Sequence, residues 1–183
     1  FALLGLGLLM AYRMSIWEKT AAAPLAEPFF QAANSLLSLA FVSSIFNGLA
    51  VVLREHFSNA LVRAAEAPNW SFVGACCAML LISLSAFALT RHRDWKRWYA
   101  VTSLGEAALL ALAVHALVAL SPWQQIELFA IVVGLALLAT GHVGWYREQD
   151  RQSDLVSTSL MTGSLLVTVP FALATWYDRY HLQ

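Results

Sequence analysis

The sequence predicts an all-α fold, a polytopic membrane bundle of six helices, on three observations. Of 183 residues, 60% are hydrophobic and only 12% are charged, about half the share expected of a soluble domain. The charges fall between long apolar runs instead of being spread along the chain. The runs are continuous and do not alternate with period two, which argues against a transmembrane barrel. Net charge is zero, so no nucleic-acid partner is indicated. The partner indicated is the lipid bilayer, with other membrane subunits or self-association as further possibilities.

Six spans fit the pattern, at 1–17, 28–52, 70–90, 98–120, 125–146 and 155–177, forming one transmembrane domain. About 20 residues rising 1.5 Å each cross the hydrocarbon core. The first run, Phe1–Trp17, lacks the basic start and small-residue cleavage site of a signal peptide. It reads as a helix whose beginning is missing or trimmed. Pro28 suits the first turn of span 2. The mixed segment 53–69 reads as an interfacial helix or a plain loop.

Orientation follows from Lys and Arg. The side holding 18–27, 91–97 and 147–154 carries eight of them, Arg13 near the end of span 1 included, against three on the other. Loops 91–97 and 147–154 are therefore expected to be cytoplasmic and the C-terminus outside, with a bacterial inner membrane as the expected location. Arg91, Arg93, Lys96 and Arg97 form a basic anchor, to which His92 belongs as a surface residue. Trp70, Trp98, Tyr99, Trp123, Trp145, Tyr146 and Trp176 mark span ends as interfacial aromatics.

Polar residues inside the spans are the candidate functional groups, because they are costly at that depth. Glu106 and His115 of span 4 are nine residues apart and so face opposite sides. Thr102, Leu109, Leu110 and Ala113 share the Glu106 side. Span 5 carries the glycine-flanked string Thr140-Gly141-His142-Val143-Gly144, with Gly134 seven residues before Gly141. Glu106 lies about 12 Å into span 4 and His142 about 6 Å inside the same edge. Ser157 and Thr162 of span 6 fall at similar depth. The expected site is a Glu106–His142 pair with a hydroxyl from span 6. A span 2 hydroxyl or amide is the alternative partner for Glu106. A carboxylate beside an imidazole suits a proton relay or ion site.

Two polar stripes accompany it. Gln31, Asn34, Ser35 and Ser38 line one face of span 2, with Ser44 and Asn47 beyond. Ser157, Ser164 and Thr168 line span 6 and read as internal, and Pro170 is expected to kink that helix. The adjacent Cys76 and Cys77 form neither a disulfide framework nor a metal pattern and read as packing residues. His115 and His142 sit at different depths, which disfavours a haem held between them, though a single axial histidine to a haem or pigment stays open. No catalytic triad, nucleotide loop or zinc spacing occurs.

The stretch Glu18-Lys19-Thr20, Leu25-Ala26-Glu27-Pro28, Asn34 and Leu39-Ala40-Phe41 resembles the opening of bacterial alkaline-ceramidase-like proteins. That resemblance implies a seven-span, metal-dependent lipid-amide hydrolase in which Glu18 and Glu27 help bind calcium. It covers about 25 residues. The family's Ser-x-x-x-His and His-x-x-x-His zinc motifs have no counterpart here, since spans 3 and 6 lack histidine. The reading taken is a non-enzymatic membrane protein, either a small transporter or channel-like unit or an accessory subunit of a membrane complex. Its cofactors are not specified by the sequence.

Overall fold

A computed structural model describes residues 1–17, 26–54, 67–118, 120–147 and 154–181. They form six helices: α1 (Ala2–Trp17), α2 (Ala26–Val52), α3 (Trp70–Leu89), α4 (Arg93–Leu117), α5 (Pro122–Arg147) and α6 (Asp154–His181). All but α1 are long and apolar enough to cross a membrane. The protein is an integral membrane helical bundle. Glu18, most of the 53–69 segment and the 148–153 part of the last connection lie outside the described residues.

Local chemistry sets the helix ends. Asn69 caps α3, its side chain accepting from the Phe72 N–H at 2.8 Å, which satisfies one of the orphan donors of the first turn. At the other end of α3, the Arg13 guanidinium of α1 donates to the carbonyls of Ala88 and Leu89 at 3.4 and 3.3 Å. A cation there also complements the helix dipole. The turn before span 5 belongs to helix. Ser121 accepts from the Gln124 N–H at 3.4 Å, and Gln124 Oε1 accepts from the Ser121 N–H at 3.0 Å. This is a capping box with proline at the first helical position, and it starts α5 at Pro122 instead of residue 125. The first turn of α4 likewise begins at Arg93, five residues before the apolar run.

The helices pack mainly with their neighbours in sequence. α4 is the most enclosed of the five spans: it packs on α2, α3 and α5 and has the largest share of buried residues among them. α1 packs on α2 and α3, while α6 packs on α5 alone among the described residues. Close approach of α5 and α6 rests on small residues, the usual device where lipid removes the hydrophobic drive between helices. A Cβ on Gly163 would come within 2.9 Å of the Gly134 carbonyl oxygen, and one on Gly141 within 2.7 Å of Leu160. The seven-residue glycine spacing in span 5 is thus the seat of α6.

Buried apolar residues form two clusters. The larger joins α1, α2, α3 and the start of α4, with Leu9, Leu37, Phe41, Phe87 and Tyr99 at its centre. The smaller, Cys76, Leu109, Leu110 and Ala113, lies between α3 and α4 further along the bundle.

Candidate functional site

Between the two apolar clusters runs a buried polar column carried by one face of α4. Tyr99, Thr102, Ser103 and Glu106 are spaced i, i+3, i+4 and i+7, which places them on one side of the helix. All four are buried, and Tyr99, Ser103 and Glu106 are fully so. Each meets a partner from α2 or α3, or from its own helix.

At one end the Tyr99 hydroxyl donates to Asn34 Oδ1 of α2. The Asn34 amide in turn donates to the Phe30 carbonyl at 2.8 Å. In the middle, Ser83 of α3 brings its Oγ to 2.8 Å from Ser103 Oγ and 3.0 Å from Thr102 Oγ1. Ser103 and Thr102 donate to the Tyr99 carbonyl at 2.7 and 3.1 Å. At the far end Ser44 of α2 donates to Glu106 Oε2 at 3.1 Å. The other carboxyl oxygen, Oε1, is buried with no hydrogen-bond partner among the described residues. Cys76 of α3 is the titratable side chain within electrostatic reach of Glu106.

Among the described residues the carboxyl has one neutral hydroxyl partner, and an unpaired carboxylate buried in this way costs several kcal/mol. Chemically this is a group able to hold and release one proton at the centre of the bundle. Tyr99, Ser103, Thr102 and Ser83 are hydroxyls, each both donor and acceptor.

The remaining sequence candidates fall elsewhere. His142 is exposed on α5, and Ser157 and Thr162 are exposed on α6. The cluster expected around a Glu106–His142 pair is therefore replaced by Ser44 of α2. The reason is rotational: Gly141 and Gly144 turn the buried face of α5 toward α6, and His142 between them points outward. His115 is also exposed, on the opposite side of α4 from Glu106. The α6 stripe is not internal. Ser157, Ser164 and Thr168 lie on the outer surface, and Thr168 returns its hydroxyl to the Ser164 carbonyl at 2.7 Å, a bond that lets threonine face lipid. On α2 only Asn34 of the stripe is fully buried. Gln31 is exposed and donates to Glu27 at 3.1 Å. Glu27 itself is exposed. Among the described residues no group of three His, Cys, Asp or Glu could hold a metal ion.

Several column residues escape sequence reading. Tyr99 looks like an interfacial aromatic but is in the core. Ser83 looks like a small packing residue, and Ser44 like polar drift toward the helix end. The available signal was the Tyr99-x-x-Thr102-Ser103-x-x-Glu106 spacing itself. Glu127 of α5, near a span boundary, also has a buried Oε1 without a partner.

Comparison with known protein families, curated proteins and solved structures finds no match to this chain. Function must therefore be argued from the column.

Proposed function

We propose that this chain is a small proton-translocating membrane unit in which Glu106 carries the proton. The observation that carries the reading is the Glu106 carboxyl, wholly buried, with one oxygen bonded to Ser44 and the other unpartnered. Intramembrane carboxyls are expensive and mark ion or proton pathways. Among the described residues this one lacks the second partner that a purely structural role would supply. In this reading Ser44 orients the carboxyl and α4 holds it between α2 and α3. The Lys and Arg distribution places the 91–97 turn on the cytoplasmic side.

The test is proton flux into vesicles reconstituted with the purified protein, loaded with a pH-sensitive dye and energised by a potassium diffusion potential. Wild type is expected to acidify or alkalinise the lumen in the direction of the potential. Glu106→Gln, which keeps shape and the Ser44 contact, is expected to reduce the rate to that of protein-free vesicles. Equal flux in the two proteins, or no flux in wild type, contradicts the proposal.

A second reading, an accessory subunit of a membrane complex, is supported by α6, which is held through α5 alone among the described residues and turns Ser157, Thr162 and Ser164 outward. No flux from a protein that purifies with an associated chain would favour it.

A further inference from the structure

The two ends of the column differ. From Glu106 toward the 91–97 turn the buried polar groups are hydroxyls and an amide, spaced about a helical turn apart along α4 and set within the larger apolar cluster around Leu37, Phe41 and Phe87. From Glu106 the other way the buried residues are apolar: Cys76, Leu109, Leu110 and Ala113, with Leu109 pressed against Gly48 of α2. Protons cross hydroxyls and ordered water but not packed methyl groups, which leave no room for either.

The polar end stops short of the surface at one ring. Phe30 is 5% exposed. Its centroid lies 4.8 Å from that of Tyr12, 4.6 Å from that of His92 and 6.3 Å from that of Trp95. Across this ring, the Tyr12 hydroxyl and His92 Nε2 are 3.4 Å apart, and His92 is exposed. On the inner side the Phe30 carbonyl takes the Asn34 amide that begins the column. The Phe30 ring thus lies between exposed His92, with the buried Tyr12 beside it, and the Asn34 end of the polar column.

We infer that Glu106 exchanges its proton with one face of the membrane only, the face bearing the 91–97 turn, through Tyr99, Thr102, Ser103 and Ser83, with the Phe30 ring as the gate. This rests on the proton-carrying reading of Glu106 and adds its route. Exchange breaks the carboxyl O–H bond, passes that proton outward by the hydroxyls and by water entering between them, and returns a solvent proton to the carboxyl. No net charge stays in the core. Around Glu106, α3 contributes Cys76 and α2 the Ser44 hydroxyl.

The experiment follows the carboxyl directly. The carbonyl stretch of protonated Glu106 is identified in the infrared spectrum of the purified protein in lipid nanodiscs by subtracting the Glu106→Gln spectrum. Its shift is then timed after transfer to D2O. Phe30→Ala is expected to speed the shift by about tenfold or more, since local opening then no longer requires the ring to move. Phe30→Leu, which keeps most of the packing, is expected to speed it less, and covers the case in which Phe30→Ala does not fold. Tyr99→Phe is expected to slow it. Leu109→Ala, which loosens the apolar end, is expected to leave it unchanged. Faster exchange in Leu109→Ala with no change in either Phe30 variant would overturn the route. Absence of the band in wild type would remove the proton-carrying reading itself. A route upheld by the infrared kinetics in a protein without vesicle flux keeps the access and withdraws translocation.

Discussion

At the scale of single residues, the Tyr99–Asn34 contact shows how the column is held. Tyr99 is fully buried at the start of the apolar run of α4, with its ring 6.1 Å from Phe41 and its hydroxyl on Asn34. Each partner satisfies the other, so removing one strands a polar group in a place without water. Asn34→Leu and Tyr99→Phe are each expected to lower stability, and the double variant is expected to cost less than the two losses added. A coupling of about 0.6–1.7 kcal/mol fits hydrogen bonds measured between membrane helices. Chemical denaturation in mixed micelles reads it, and additive losses would show that the hydroxyl has another partner. Glu106 itself was legible from sequence, because a carboxylate in an apolar run stands out. Its partner was legible only as the alternative, a hydroxyl or amide of span 2, which Ser44 fills. Depth along a helix can be counted in residues, but rotation about the axis depends on which face the neighbouring helix takes. The glycines that set that rotation for α5 were visible only as spacing.

The α5–α6 pair illustrates the same point for whole elements. The runs themselves gave the helices within a few residues. The starts at Pro122 and Arg93 moved outward, the first because the Ser121–Gln124 capping box extends the helix past its apolar stretch. The α6 serine and threonine stripe had the periodicity of an internal face, yet among the residues of that helix whose burial is described Val156, Ser159 and Gly163 are the buried ones. A hydroxyl that bonds its own backbone carries little information about burial. The glycines carry more. A Cβ on Gly163 would meet backbone atoms of α5, the Gly134 oxygen and the Leu138 nitrogen, both at 2.9 Å. Neither can move without shifting a helix. Gly163→Leu is therefore expected to separate α6 from α5 at a cost of about 3 kcal/mol or more, read as a lower melting temperature and new protease sensitivity near the α5–α6 connection. Gly7→Leu is the control: nothing lies within 4 Å of that position, and it is expected to be tolerated. A stable Gly163→Leu protein would mean that α6 sits elsewhere in the bilayer.

For the whole molecule, composition alone carried the fold class, since a chain with so few charges and such long apolar runs has no soluble alternative. The arrangement around α4 was less accessible. Its enclosed position follows from the hydroxyls and the carboxyl, which must be covered by protein on more than one side to be tolerated in lipid. The helix that carries the column is for that reason the span with the largest share of buried residues. The segment resembling ceramidase openings contributes nothing further to the column beyond Asn34 and Phe41, because Glu27 is at the surface and Glu18 is outside the described residues.

The central claim is that Glu106 is kept for proton handling and not for stability. A buried carboxyl with one oxygen unpartnered is a burden on the fold, and replacing such a group by an apolar side chain of similar volume is often neutral or stabilising. The measurement is the thermal unfolding of Glu106→Met beside wild type in the same detergent. Methionine has nearly the same length and no charge, and leaves only the small Ser44 hydroxyl to find another acceptor on its own helix. The account predicts a melting temperature equal to or above wild type, in a protein that no longer translocates protons. A fall of more than about 4 °C, equivalent to about 1–2 kcal/mol in a chain of this size, would contradict it and make Glu106 a structural hydrogen-bonding residue.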